Sequence, residues 1–114
     1  MNVENVKFGQ IIIDGQEYSK DIVIDKGLIS KRNKKASKAM KSGFGHTPLT
    51  LGENIPWDCK ILIVGTGQYK RLPIDNSVRE KAQEAGVHLK EMSTPRAMDH
   101  INDPDTNLIL HLTC

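Results

Sequence analysis

The chain has 114 residues, 38% hydrophobic but only 4% aromatic, and a formal net charge of +2 from 16 basic and 14 acidic residues. That length predicts one domain over residues 1–114, with a core of Ile, Leu, Val and Met that needs no metal or disulfide staple. The near balance of charge argues against a dedicated nucleic-acid binder, two cysteines without C-x-x-C spacing argue against a disulfide framework, and no apolar run approaches the ~20 residues that cross a bilayer.

The first strand is expected over Phe8–Ile13, ending in three isoleucines, with Asp14-Gly15 as a tight turn. A second runs over Tyr18–Ile24, and after Lys26-Gly27 a third over Leu28–Arg32. Short strands joined by tight turns predict an antiparallel layer from N-terminal hairpins. Lys26 to Lys41 holds seven basic residues and no acid. Asn33 is expected to cap a short helix over Lys34–Lys41, with Ala36, Ala39 and Met40 on one side. His46 to Trp57 reads as loop, punctuated by Pro48, Gly52 and Pro56.

Ile61-Leu62-Ile63-Val64 cannot alternate between core and solvent, so it predicts a strand buried on both faces inside a parallel sheet. It stops at Gly65-Thr66-Gly67, where the backbone turns sharply. Ser77-Val78-Arg79-Glu80 fits a capping box opening a helix that buries Val78, Ala82 and Ala85 and stops at Gly86. Val87–Met92 is the next strand. Thr94-Pro95 reads as an N-cap followed by proline at the first helical position, with Ala97, Met98 and Ile101 turned inward. The last strand is Leu108–Leu112. This strand–helix–strand–helix–strand order makes the sheet mixed, parallel in its later part.

Open α/β sheets bind ligands at the carboxyl ends of their strands. Gly65, Thr66 and Gly67 are therefore expected beside Ser93 and Thr94, with Arg96 close by, as an inventory of donors suited to a phosphate, carboxylate or sulfate. No G-x-G-x-x-G follows Gly65, and no Gly-Lys-Ser/Thr occurs. His46, in a glycine-flanked loop, is the candidate general acid or base; His88, His100 and His111 are assigned structural or solvent-facing places. No cofactor and no metal site are expected. The lysines of Lys31 to Lys41 are read as a solvated helix face, with contact to a polyanion or acidic partner as the alternative. Cys59 is read as a buried inert thiol and Trp57 as a core anchor.

Phe8-Gly9-Gln10-Ile11, Tyr18 leading into Asp21-Ile22-Val23-Ile24, Gly45-His46, Leu62 to Gly67, and Glu91-Met92-Ser93-Thr94 running into Ala97 together resemble a known family. It is the small α/β domain shared by the adipogenesis-associated protein, mitochondrial complex I assembly factor three, and many short archaeal and bacterial proteins of unknown function. The resemblance implies a three-layer α/β domain with a mixed sheet and a small extra β layer. It implies no reaction and no catalytic set; its members look like binding or assembly proteins. The chain departs from the family in a lysine-rich segment where relatives are aromatic-rich before Gly-His, and in Asp99-His100-Ile101-Asn102. The amino-terminal residues, with Glu4 and no apolar stretch, match neither a secretory signal nor an arginine-rich leader, so a cytoplasmic location is expected.

The sequence reading is therefore a non-enzymatic binding or assembly protein with protein partners and a twofold homodimer as the default assembly. The alternative is a small-ligand or anion-binding domain, with or without enzymatic activity, with its site at the carboxyl ends of the parallel strands.

Overall fold

A computed structural model describes residues 1–38 and 47–113. Among the described residues, eight strands form two sheets. β1 (Val3–Lys7), β2 (Gln10–Ile13) and β3 (Gln16–Tyr18) make an antiparallel sheet in the order β1-β2-β3. β4 (Ile22–Asp25), β5 (Leu28–Lys31), β6 (Ile61–Gly65), β7 (His88–Met92) and β8 (Thr106–Leu110) make a five-stranded sheet in the order β5-β4-β8-β6-β7. β6 is parallel to both β7 and β8, whereas β4 is antiparallel to β8 and β5. This is the mixed sheet, parallel in its later part, with a separate antiparallel β layer.

The alternation of side chains across the central strands creates two cores. Ile22, Ile24, Ile63, Leu108 and Leu110 point to one face, where Ile11 and Ile13 of the small sheet meet Ala97, Met98 and Ile101. Val23, Leu62, Val64 and Ile109 point to the other, against Val78 and Ala82 of α1 (Asn76–Ala85) and the loop residues Leu49, Ile55, Leu72 and Ile74. The continuous apolar run in β6 serves both cores at once, and Leu62, Ile63 and Val64 are at most 1% exposed.

Several boundaries differ from the sequence reading. The predicted Phe8–Ile13 strand starts only at Gln10, and a strand the sequence reading lacked, β1, precedes it across the Phe8-Gly9 turn, where Gly9 is at φ +77°; β1 carries only Val3 and Val6 as inward positions, too sparse a pattern to stand out. The predicted Tyr18–Ile24 strand breaks at Ser19–Asp21, where the chain leaves the small sheet for the large one. The cap of α1 is Asp75, whose carboxylate accepts from the Ser77 N–H, so no Ser77 capping box forms. Gly86 closes that helix at φ +70° as expected. Ser93, not Thr94, occupies the N-cap position of α2 (Thr94–Ala97), since its backbone is extended (φ −60°, ψ 151°) and Thr94 is already inside the helix; α2 runs on as a 3-10 turn over Met98–His100. Of the predicted lysine-rich helix, Lys34–Lys38 forms a turn in which the Ser37 and Lys38 N–H groups reach the Lys34 carbonyl at 2.9 and 3.1 Å. Ala39, Met40, Lys41, Phe44 and His46 lie outside the described residues, as does Cys114.

Because β4 runs antiparallel to β8 and β5 antiparallel to β4, the start of β4 and the end of β5 share a rim with the carboxyl ends of β6, β7 and β8. Ile22 pairs with both Leu110 and Lys31. Gly65, the last residue of β6, lies hard against α2: a Cβ there would sit 2.9 Å from Thr94 Oγ1 and 3.1 Å from Leu110 Cδ2. Gly65→Ala is expected to destabilise the fold by about 1–3 kcal/mol through overpacking. Urea unfolding measures this, and a midpoint equal to wild type would show that β6 and α2 can separate freely.

Candidate functional site

The rim assembles residues from five strands. At its parallel end, Thr66 donates both its N–H and its hydroxyl to the Met92 carbonyl, at 2.8 and 2.9 Å. Gly67 and Thr94 are doubly joined: the Gly67 N–H reaches Thr94 Oγ1 at 2.9 Å, and the Thr94 N–H reaches the Gly67 carbonyl at 3.0 Å. The Thr94 hydroxyl then donates to the His111 carbonyl at 2.5 Å. Thr66 and Thr94 are 5% and 2% exposed. The two turns thus stand side by side, and their hydroxyls tie β6, β7 and β8 together. Ser93 is half-buried with no side-chain cap bond, and Arg96 is exposed. Gly65, Thr66, Gly67, Ser93, Thr94 and Arg96 share this corner; His46 is outside the described residues.

The antiparallel end of the same rim holds a buried charged cluster. Asp21 precedes β4, Arg32 follows β5, and the Arg32 N–H donates to the Asp21 carbonyl at 2.9 Å, extending the β4–β5 pairing by one step. The Arg32 side chain donates through Nη1 to Asp21 Oδ2 at 2.9 Å. It grips Glu53 with Nε to Oε1 at 2.6 Å and Nη2 to Oε2 at 2.9 Å, a planar bidentate pair. Nη2 also meets the Thr47 and Pro48 carbonyls. Ser37 donates to Glu53 Oε2 and bonds Thr50 Oγ1, each at 2.5 Å. Two carboxylates thus surround one guanidinium, and Lys34 Nζ, 3.5 Å from Asp21 Oδ2, supplies a second positive charge.

Asp21 joins this cluster to β8. Its Oδ1 accepts the Leu112 N–H at 3.0 Å, and its Oδ2 faces His111 Nδ1 at 2.7 Å. A carboxylate only accepts, so Nδ1 carries the proton. His111 Nε2 lies 3.3 Å from Thr113 Oγ1. Burial alone pushes the Asp21 carboxyl up. The hydrogen bond and charge of His111, the Leu112 N–H and Lys34 outweigh that, holding it well below the usual carboxylate range. Burial likewise opposes the charge of Arg32, but Glu53 and Asp21 raise its pKa on balance. No buried side-chain nitrogen or oxygen among the described residues lacks a hydrogen-bond partner.

Sequence reasoning missed this cluster. Arg32 sits in a lysine tract and looks solvated, yet is 2% exposed. His111 was placed in a strand, which is nearly right, but nothing local marks its contact with Asp21, ninety residues away. Glu53 is a lone acid in a loop. The one available signal was Asp21 beside the Ile22-Val23-Ile24 run, an acid where the apolar pattern begins.

Above the cluster opens a groove of about 770 Å³, lined by Lys20, Lys31, Lys34, Lys35 and Lys38, with Asp21 and Arg32 at its floor and Leu112 and Thr113 along one side. Among the described residues, Lys20, Lys31, Lys35 and Lys38 have no acidic side chain within 4 Å; Lys34 alone has one, at Asp21. The groove at the opposite rim is electrostatically different. Its Lys26 pairs with Asp58 and its Lys60 with Asp105. Cys59 borders that second groove, half-buried, with its thiol pushed up by burial.

Asp21 stays charged to lower pH in the folded chain than in the unfolded one. Its stabilisation is therefore complete above the ordinary carboxylate range and fades as pH falls below about 4. Asp21→Asn is expected to cost about 3 kcal/mol or more at neutral pH, since it removes one partner of a buried pair. It should also flatten the acid side of the stability profile. Urea titrations from pH 7 to pH 3 measure both effects, and an unchanged acid limb would mean that other carboxylates set it.

Residues 3–103 match the family described as protein of unknown function (DUF498/DUF598). The fold is similar to the crystal structure of the conserved hypothetical protein PH1505 from Pyrococcus horikoshii OT3, at 28% identity over the whole of both chains and a TM-score of 0.83. It is also similar to a protein named MT938, at 19% identity over 98% of this chain and 97% of that one, with a TM-score of 0.73. No curated protein matches the chain. No helix among the described residues is long and apolar enough to cross a membrane. The chain belongs to the DUF498/DUF598 family, whose function is unknown.

Proposed function

We propose that this chain is a non-catalytic binding protein whose partner presents negative charge to the lysine groove above Asp21 and Arg32. The observation that carries the reading is the grouping of five lysines around one concavity, four of them without an acidic neighbour among the described residues. Such a cluster concentrates positive potential although the chain as a whole carries only +2. Among the described residues Asp21 is the one acid within 4 Å of these lysines, so an anionic group entering the groove meets a net positive field.

The buried groups beneath support binding over catalysis. Asp21, Arg32, Glu53 and His111 are the titratable side chains best placed for acid–base work, and each is engaged by neighbours within the fold. Thr66 and Thr94 are likewise engaged, so the corner of Gly65, Thr66, Gly67, Ser93 and Thr94 acts as the scaffold that holds the rim in place. Exposed Arg96 is the charged group of that corner that remains available to a small anion. The resemblance to a family containing an assembly factor favours a protein as the partner, with the chain acting in assembly.

The test uses fluorescein-labelled deca-glutamate as a charge probe. Binding is expected at low ionic strength, weakening as salt rises because the contacts are solvent-exposed ion pairs. Lys31→Glu combined with Lys35→Glu should weaken it by about tenfold or more, a loss of at least ~1.4 kcal/mol, with the melting temperature little changed because both side chains are exposed. Equal affinity of the double variant and the wild type would place the anionic partner elsewhere.

A further inference from the structure

The lysine groove does not end at the lysines. It shares Ser19, Lys20, Asp21 and Lys31 with a smaller trough of about 290 Å³ lined by Glu17 and Tyr18 of β3 and by Ile29 and Ser30 of β5, Glu17 being its one acid away from the lysine groove. β3 and β5 are the outer strands of their respective sheets, so the trough lies between two open sheet edges.

The register identifies which backbone groups face the open side of β5. The Arg32 N–H bonds the Asp21 carbonyl, which makes Asp21 and Arg32 a hydrogen-bonded antiparallel pair. Such pairs alternate with non-bonded ones. Val23–Ser30 and Asp25–Leu28 are therefore bonded inward to β4, whereas the N–H and C=O of Ile29 and Lys31 point outward. The Lys31 carbonyl is capped by Asn54 Nδ2 at 3.2 Å. Among the described residues, the Ile29 N–H, the Ile29 carbonyl and the Lys31 N–H have no backbone partner on the outer side of β5, and they are spaced as a pairing strand requires.

From this edge we infer that the partner is an extended acidic polypeptide segment, which adds to β5 as a further strand and sets its carboxylates on Lys20, Lys31, Lys34, Lys35 and Lys38. The inference rests on the anionic reading of the groove and names its occupant. A polypeptide supplies both an acceptor for the two N–H groups and a donor for the Ile29 carbonyl; a phosphodiester backbone has acceptors but no donor. A second copy of this chain would bring one lysine-rich edge against another. Lysine at an open edge opposes such self-pairing, and the same charge admits an acidic strand. Strand addition of this kind draws affinity from main-chain bonds and specificity from side chains at alternate positions.

The experiment compares a labelled octapeptide of alternating Glu and Val with the same peptide N-methylated at alternate amides, in each of the two phases. Charge is identical in all three, and the protein is untouched, so folding is not at issue. One methylated phase is expected to bind about tenfold more weakly, since it removes main-chain hydrogen bonds. The other phase, methylated on the side facing solvent, should bind like the parent. Ile29→Pro, which removes an outward N–H at an edge position, should weaken the parent peptide and leave the affinity for inorganic polyphosphate, an anion with no peptide backbone, within about twofold. Equal binding of all three peptides would overturn strand addition while leaving the anionic groove intact. Tighter binding of oligo-dT or inorganic polyphosphate than of the octapeptide, abolished by Lys31→Glu with Lys35→Glu, would overturn the polypeptide in favour of a phosphate ligand. A dimer in light scattering that the octapeptide dissociates would make a second copy the native occupant and overturn the assignment. Failure of every anion to bind would remove the groove reading itself.

Discussion

The Asp21 carboxylate is the junction on which the rim depends. It receives the Arg32 guanidinium, the His111 ring and the Leu112 N–H, and so joins the start of β4, the end of β5 and the end of β8 at one point. Three segments distant in sequence converge on two oxygens. A buried ion cluster is a poor source of net stability, because removing charges from water costs several kcal/mol per ion and the attraction between them returns about as much. Its effect is directional. An apolar side chain at position 21 would tolerate sliding of β5 against β4 by one pair, whereas a carboxylate that must meet a guanidinium permits one register. A one-residue slip of β5 would also turn Ile29 away from the core it packs against.

The two ends of the rim solve the same problem by different means. At the parallel end, neutral hydroxyls of Thr66 and Thr94 cross-link strand termini through backbone carbonyls, and Gly65 lets α2 approach closely enough for this. At the antiparallel end, ionised groups do the tying. The two systems meet at His111, whose carbonyl accepts from Thr94 and whose ring donates to Asp21. The groove floor therefore rests on a bonded path running from Gly67 to Glu53. A site with such a floor holds its exposed lysines on a fixed frame, which lowers the ordering cost when a partner binds.

Most of the architecture was legible from local pattern, and the limits were physical. The uninterrupted apolar run of β6 announced a strand buried on both sides, and Gly86 announced the end of α1, because each is a property of a few adjacent residues. The break at Ser19–Asp21 was not legible. Its cause is the partnership of Asp21 with Arg32 and His111, and no window of ten residues contains it. The same limit hid the candidate site. The two threonine turns were placed together correctly by topology, but topology does not tell whether a hydroxyl faces a ligand or a neighbouring carbonyl. The lysines were visible as a run, and a run on a helix face reads as solvated. They line one groove because β5 ends beside β4, which brings the run together with Lys20.

The placement of that groove has a consequence for how the chain uses its edges. An open strand edge is a hazard when it is flat and apolar, since another chain can pair with it indiscriminately. β5 is short, and Leu28 at its far end is 76% exposed, so hydrophobicity alone would invite any strand. The positive charge gathered at its other end filters what can approach. A neutral or basic strand gains main-chain bonds but gives up the solvation of lysines with nothing in return. An acidic strand gains both terms together. Selectivity then arises from adding an electrostatic condition to a backbone interaction that by itself distinguishes little, and the buried Arg32 cluster keeps the two in register with one another.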